Sequence, residues 1–229
     1  MKAWEGQMFI SKVMTKNVVT IDKDADISTA QEKLSKHGIR HLPVVNENDL
    51  LIGIVTDRDI RSALPSSQSA DRDSIAKIAS SKVEEIMTKS PLSISPLDTI
   101  QDALLLLQKK RFGALPVVDD QGKLIGIIST RDLLREFIEV LGLNDPGTLL
   151  CLLVEDKIGQ MKKIVDAVSE EKISFGSILV SRYWEEGKRA VFPYLLTQNI
   201  GPLKTKLKNM GYSLLDPMDW YRDSHFRDE

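Results

Sequence analysis

The sequence predicts an α+β protein that contains two copies of one unit, followed by a domain of a different kind. A first motif occurs twice at a spacing of 73 residues, as GIVTDRD from Gly53 and as GIISTRD from Gly126. Two further pairs of blocks, VMTK with IMTK and LPVV with LPVV, keep the same spacing. Beyond the turn sequence NDPG at 144–147 the pattern changes. Blocks that keep one spacing indicate a repeated folded unit.

Both repeats predict the same order of elements. A strand (18–21 or 92–94) precedes a helix, for which Asp26 and Thr99 are the expected N-caps. Apolar residues at helical spacing predict this helix in both units, and Gly38 is expected to end it in the first. Two apolar strands joined by a polar turn then predict a hairpin, with strands at 42–45 and 51–55 or at 115–118 and 124–128. A last helix is expected to begin near Asp59 or Asp132.

The segment after residue 147 predicts the order βαββαβ, a two-layer ferredoxin-like sandwich. Its expected elements are a strand at 149–154, a helix at 159–171, strands at 173–183 and 189–196, a helix at 202–210 and a strand at 212–215. The predicted domains are 8–64, 82–143 and 148–217, with a linker at 65–81 and a tail at 218–229. A short helical stretch is expected at 75–79 within this Ser- and Asp-rich linker.

Composition excludes several classes of protein. A net charge of −2 predicts no general affinity for nucleic acid or for an anionic membrane. We find no apolar run of about 18 residues, which a transmembrane helix needs, and no signal peptide. The single Cys151 excludes an internal disulfide and a cysteine-rich zinc site, and the histidines show no metal-ligand spacing. We therefore expect a cytoplasmic protein without a metal site.

The two repeats resemble CBS domains. The resemblance lies in the VMTK opening, the LPVV strand and the ending G-h-h-[ST]-x-R-D, where h is apolar, all in order and all present twice. It implies a Bateman module, which is a CBS pair with a pseudo-twofold axis and two clefts. Such modules commonly bind adenine nucleotides or related adenosyl ligands.

The third segment resembles an ACT domain. Its sequence from Asp156 to Gly159 is close to the D-x-P-G turn of that family, with Ile158 in place of proline. The resemblance implies pairing of subunits through their sheets, and an amino-acid site at Asp156 and Gly159. A plain strand-to-helix turn is the alternative for these two residues. The order CBS-CBS-ACT resembles the acetoin-utilisation protein B family, which implies a pathway association and defines no chemical activity.

The repeated ending of each unit suggests a nucleotide site. The carboxylates of Asp59 and Asp132 can accept hydrogen bonds from both hydroxyls of a ribose. Thr56 and Ser129 place a hydroxyl at the start of a helix, where backbone N–H groups favour an anion. The same [ST]-x-x-D pattern is also that of a capping box, and this structural alternative stays open.

Further residues of the repeats extend the two candidate sites. Arg58 and Arg131 could form a bidentate pair with phosphate, or pair with a neighbouring aspartate. By resemblance, Arg40 and His41 could neutralise a phosphate, whereas the second repeat has Gly113 and Ala114 at these positions. The remaining candidates are two strand residues that could present backbone groups to adenine, and two prolines that could shape the cleft wall: Thr20, Ser93, Pro43 and Pro116.

These patterns together predict a regulatory protein that senses an adenine nucleotide (AMP, ADP or ATP) or S-adenosylmethionine. No cofactor is expected to be required, and no residue set indicates catalysis. A homodimer is expected, and the regulated partner would be an enzyme or a transporter. Two alternatives remain, an adaptor with empty clefts that acts by contact, and an enzyme that hydrolyses nucleotides.

Overall fold

The computed structural model describes residues 8–63 and 78–215. The chain divides between Leu134 and Arg135 into two compact units. The predicted linker helix at 75–79 lies largely outside the described residues, and the tail at 218–229 lies wholly outside them. Within the described ranges, no helix has the length and apolar character needed to cross a bilayer.

The first unit contains both repeats. The elements of the first repeat are α1 (Ile10–Val13), α2 (Ile27–His37), β1 (His41–Val45), β2 (Leu51–Thr56) and α3 (Asp57–Ala63). Those of the second repeat are α4 (Val83–Ile86), β3 (Thr88–Lys89), α5 (Ile100–Lys110), β4 (Ala114–Val118), β5 (Leu124–Ser129) and α6 (Thr130–Val140). The predicted order of helix, hairpin and helix is confirmed in both repeats.

The first strand predicted for each repeat is wrong, because only one residue of each segment pairs. Ile21 bridges Val44 and Ile94 bridges Val117, both in parallel. To add one more pair before either bridge, the residue that precedes the bridged valine in the hairpin strand would have to donate its backbone N–H. Pro43 and Pro116 stand there and have no N–H to donate, so the pairing ends.

Helix ends follow the predictions in part. Gly38 ends α2 with φ of +61°, as expected. Thr99 caps α5, and its hydroxyl accepts the N–H of Asp102. Asp26 stands at the N-cap of α2, but its side chain makes no cap hydrogen bond. Its carboxylate instead accepts a 2.9 Å hydrogen bond from Nζ of Lys82.

The two repeats exchange their opening segments. The residues of α1 lie in one core with α5 and β4, where Ile10 packs with Ile100 and Leu115. Helix α4 joins the other core, in which Val83 is buried with residues of α2 and β1. Strand β3 pairs with β2 across the same boundary. Each hydrophobic core of this unit is therefore completed by residues that the repeat pattern assigns to the other copy.

The second unit has the predicted order βαββαβ. Its elements after the turn at 144–147 are β6 (Thr148–Leu149), β7 (Leu152–Glu155), α7 (Gln160–Glu170), β8 (Phe175–Glu185), β9 (Lys188–Leu195), α8 (Gly201–Asn209) and β10 (Ser213–Leu214). The sheet runs β10-β7-β9, with β8 on the other edge of β9, and every pairing is antiparallel. This is the connectivity of the split βαβ motif.

The first strand of this unit is interrupted, where the sequence predicted one strand at 149–154. Both β6 and β7 pair with β9, and the gap between them lies opposite Pro193. The N–H of Leu150 donates to the carbonyl of Pro193 at 3.0 Å. Since proline cannot return a hydrogen bond, the ladder breaks there. Residues of α7 and α8 share one core with this sheet, in which Ile164 and Leu203 are fully buried.

Candidate functional site

The repeated ending of the first repeat forms a reciprocal capping box at the start of α3. The backbone N–H and the hydroxyl of Thr56 donate to Oδ2 of Asp59 at 2.8 and 2.6 Å. The N–H of Asp59 in turn donates to the Thr56 hydroxyl oxygen at 3.3 Å. The helix begins at Asp57, earlier than predicted, because Thr56 satisfies an N–H group of its first turn.

The second repeat reproduces this geometry. The N–H and the hydroxyl of Ser129 donate to Oδ2 of Asp132 at 2.9 and 2.6 Å, and the N–H of Asp132 returns a bond of 3.3 Å. Helix α6 accordingly begins at Thr130. The capping interpretation of the [ST]-x-x-D pattern is therefore realised in both repeats.

A third box shows that capping alone does not identify a ligand site. At the start of α5, Thr99 and Asp102 make the same three hydrogen bonds at 2.9, 2.6 and 3.3 Å. Neither residue belongs to the repeated ending. Capping also leaves room for binding, because it engages only Oδ2 of Asp59. Among the described residues, Oδ1 of Asp59 has no hydrogen-bond partner, and the side chain is partly exposed.

The neighbouring arginines are unpaired in the part of the chain that the structure describes. Arg58 and Arg131 are both exposed, and neither makes an ion pair or a hydrogen bond within those ranges. The nearby Asp57 pairs instead with Arg61, at 2.9 Å. The guanidinium groups beside the two boxes are therefore free of described protein partners, which suits contact with an anion.

Arg40 and His41 lie at the same end of the first hairpin. His41 is the cross-strand partner of Thr56, and the Arg40 carbonyl accepts the N–H of Asp57 at 3.1 Å. Burial and the charge of Arg40 lower the pKa of His41, against the opposing charge of Asp59. At neutral pH the imidazole is therefore uncharged and can supply a hydrogen bond. In the free protein, Arg40 is therefore the permanent cation at this end of the hairpin.

The corresponding end of the second hairpin lies against His41. The Gly113 carbonyl accepts the N–H of Thr130 at 3.0 Å, beside Ser129. A β-carbon on Gly113 would stand 2.7 Å from both Cε1 and Nε2 of the His41 ring. The imidazole thus occupies the space that a side chain at Gly113 would need. The only trace of this contact in the sequence is the small residue at 113.

The other candidates of the repeats lie along the short parallel bridges. Thr20 and Ser93 are partly exposed and immediately precede the bridging isoleucines. Pro43 and Pro116 are buried, and their carbonyls accept the N–H groups of those isoleucines at 3.1 and 3.0 Å. The Thr20 carbonyl accepts Nζ of Lys33 at 2.8 Å, so this backbone group is already engaged.

In the second unit, Asp156 is engaged by Arg189. Its Oδ1 lies 2.6 Å from Nε of Arg189 in an ion pair whose alignment falls short of a hydrogen bond. Gly159 precedes α7 with φ of +93°, a conformation that favours glycine. A cavity of about 260 Å³ lies beside this turn, lined by residues that include Glu155, Lys163 and Tyr212 but neither Asp156 nor Gly159. These contacts fit a structural turn.

Comparison with known proteins identifies the repeats. The family model of the CBS domain matches residues 10–66 and 83–139. A CBS domain-containing protein of Dictyostelium discoideum is 34% identical over 137 residues, which cover 59% of this chain and 94% of that protein. The chain also matches several longer enzymes, but it spans only 22–23% of their length.

Solved structures show the same likeness. The crystal structure of CBSX2 in complex with AMP is 30% identical in sequence and has a TM-score of 0.51, and the match covers 58% of this chain and 98% of that chain. A protein from Vibrio cholerae assigned to acetoin utilization (AcuB) is 27% identical with a TM-score of 0.51, over 60% of this chain and 95% of that chain. The chain therefore belongs to the CBS domain family and carries two CBS domains in tandem.

Proposed function

We propose that this protein is a regulatory sensor that binds an adenine nucleotide or an adenosyl ligand in the clefts of its CBS pair. The observation that carries the proposal is the duplicated arrangement of a capped carboxylate beside an arginine without a described partner. The AMP complex of CBSX2 supports the proposal, because that protein resembles this chain over the CBS pair.

In the first site, each residue has a role that its contacts allow. Oδ1 of Asp59 accepts a hydrogen bond from a ribose hydroxyl, while Oδ2 holds the start of α3 in place. Arg58 and Arg40 are exposed cations that pair with phosphate. Buried Pro43 forms part of the apolar wall, and the segment at Thr20 offers backbone groups to the base.

The second site uses Ser129, Arg131 and Asp132 in the same way, with Pro116 and Ser93 as wall and backbone. It has Gly113 where the first site has Arg40, so it offers one fewer cation to a phosphate chain. The first site is therefore proposed to prefer AMP, ADP or ATP. The second is proposed to prefer a less charged ligand such as adenosine or S-adenosylmethionine.

The second unit is proposed to be an ACT-like domain that pairs two subunits. The strand connectivity supports this, as does the long edge strand β8, which pairs with β9 alone among the described strands. A homodimer of this kind would couple ligand binding to subunit arrangement by shifting the population between states. We propose the domain limits 8–64, 82–143 and 148–217, a non-catalytic role in the cytoplasm, an enzyme or transporter as the regulated partner, and a link to acetoin utilisation.

Calorimetric titration with AMP, ADP, ATP and S-adenosylmethionine tests the proposal. We expect saturable binding at micromolar affinity, about −8 kcal/mol. The variants Asp59→Ala and Asp132→Ala should each abolish one site. Asp102→Ala is the matched control, since it breaks a capping box of the same geometry outside the proposed sites. It should leave binding unchanged.

The alternative function is an adaptor with empty clefts that regulates a partner by contact. Absence of heat with every ligand, from a protein shown to be folded, would overturn the sensor and favour this adaptor. Equal losses in all three aspartate variants would show instead that binding depends on fold stability and not on the two proposed sites.

A further inference from the structure

We infer that His41, although it belongs to the first repeat, is a specificity-determining residue of the second nucleotide site. The inference rests on the proposed function and assigns a residue that the repeat pattern places in the other site. Its basis is the contact between the His41 ring and Gly113.

The correspondence between the repeats indicates where a side chain on Gly113 would point. Gly113 stands 73 residues after Arg40, at the same point before the hairpin. Arg40 is the residue proposed to reach phosphate in the first site. A side chain on Gly113 would by symmetry start towards the equivalent part of the second site, and the ring of His41 lies there.

The backbone around Gly113 ties this position to the second capping box. The Gly113 carbonyl accepts both the N–H and the hydroxyl of Thr130, at 3.0 and 3.3 Å. Thr130 follows Ser129 directly, and Ala114 pairs with Ser129 across the hairpin. The His41 ring therefore packs within one residue of the backbone that carries the second site.

The chemistry of the ring suits a ligand with little charge at this point. The imidazole is partly buried, and that burial together with Arg40 lowers the pKa of His41, so the ring is neutral at pH 7. A neutral imidazole offers one donor and one acceptor nitrogen. The second site thus receives a hydrogen-bonding group where the first has a permanent cation, which favours an adenosyl ligand that is not phosphorylated at this position.

The two sites can be separated by titrating variants in which only one of them works. With Asp59→Ala as background, calorimetry with S-adenosylmethionine and with adenosine reports the second site. Adding His41→Ala should weaken binding there about fivefold or more, the effect of losing one neutral hydrogen bond. With Asp132→Ala as background, AMP reports the first site, and at pH 8, well above the ordinary pKa of histidine, His41→Ala should change its affinity less than about twofold.

Further variants guard against an indirect effect. His41→Gln keeps a neutral side chain with a donor and an acceptor, and should restore most of the lost affinity. His37→Ala removes an exposed histidine at the end of α2 and should change neither site. Should His41→Ala destabilise the fold, the comparison of His41→Gln with His41→Leu decides instead, because leucine fills a similar space but cannot form a hydrogen bond, so only His41→Gln should keep the affinity of the second site.

The outcomes distinguish this inference from the function on which it rests. Loss of AMP affinity at the first site at pH 8, with the second unaffected, would overturn the assignment of His41 and leave the sensor standing. Equal loss at both sites would also overturn it. Absence of binding to the unmodified protein would overturn the sensor, and the inference with it.

Discussion

The side chain of Met14 occupies the space that a side chain on Gly126 would fill, although the two residues belong to opposite repeats. Met87 and Gly53 stand in the same relationship, with a β-carbon on Gly53 placed 2.5 Å from the Met87 sulfur. Two of the repeated sequence blocks are thereby linked in space. The methionine that opens one repeat covers the glycine that begins the last motif of the other.

This packing predicts that Gly53→Ala destabilises the CBS pair by about 1–3 kcal/mol, since a methyl group there overpacks a filled space. Urea unfolding should show the loss as a lower midpoint at an unchanged slope. Gly201→Ala is the matched control, because a β-carbon on that helical glycine meets nothing within 4 Å. Adding Met87→Ala should recover part of the stability of Gly53→Ala. If the changes in the free energy of unfolding of the two single variants simply added in the double variant, the contact between Gly53 and Met87 would be contradicted.

The exchange of opening segments predicts a crossed effect on the two cores. Ile10 is fully buried among residues of the second repeat, so Ile10→Ala should cost about 2–5 kcal/mol. Hydrogen exchange should then speed up mainly in α5, β4 and β5. Val83→Ala, which truncates an equally buried residue in the other core, should loosen α2, β1 and β2 instead. If hydrogen exchange became faster only in the repeat that contains the mutated residue, the opening segments could not be exchanged between the repeats.

The sequence predicted the elements of the repeats because their signals are local. Helical spacing, Gly38 and the polar hairpin turns each act within a few residues. The exchange between repeats was not predictable in this way, since the same apolar pattern is satisfied by either core. The interrupted ladders at Pro43 and Pro193 show a third case, where a signal is present in the sequence but acts only once the pairing partner is known.

The capping boxes at the candidate sites were predictable from the sequence, but the packing around them was not. The [ST]-x-x-D pattern indicated a capping box, and both boxes are present. The contact of His41 with Gly113 joins positions more than seventy residues apart. Only the packing of the two repeats against each other brings them together, and no spacing rule contains that information.

The capping box of α5 predicts a contribution to acid stability from Asp102. Hydrogen bonds from the hydroxyl and the backbone N–H of Thr99 lower the pKa of Asp102. A carboxyl group with a lowered pKa stabilises the fold fully above its ordinary pKa, and this contribution disappears as pH falls through the folded value. The melting temperature of Asp102→Asn should therefore fall less steeply at acid pH than that of the unmodified protein. Thr99→Val, which removes the hydroxyl donor, should reduce this fall in the same way. A fall at acid pH that both variants leave unchanged would contradict this account.

The ion pair in the second unit predicts that Asp156 supports stability. Asp156→Ala would leave Nε of Arg189 without its carboxylate, at a cost of up to about 1 kcal/mol, because both side chains are partly exposed to solvent. Guanidinium unfolding should show this loss, and Asp156→Ala/Arg189→Met should lose less than Asp156→Ala alone. Calorimetric titration of Asp156→Ala with AMP should give the same affinity as for the unmodified protein. If Asp156→Ala left stability intact but abolished an amino-acid response, Asp156 would be a ligand residue and not a structural one.

His41 predicts a pH dependence that differs between the free and the liganded protein. Burial lowers the pKa of His41 most, and among the described residues the charged groups that act on its ring are Arg40, which lowers the pKa further, and Asp59, which raises it. In the unfolded chain the ring titrates near 6.5. The unfolded state therefore binds more protons than the folded state just below that value, and stability should fall as pH drops through it. His41→Gln should remove this part of the loss.

A phosphorylated ligand near Arg40 adds negative charge beside the His41 ring and should raise its pKa. Binding would then take up a proton, so the affinity of the first site for AMP should rise as pH falls towards 6. Proton NMR of the imidazole, with and without AMP, measures both titrations directly. In His41→Gln the affinity should lose this dependence. A His41 titration that AMP leaves in place would mean that the phosphate does not lie near the ring, and would move the phosphate site towards Arg58.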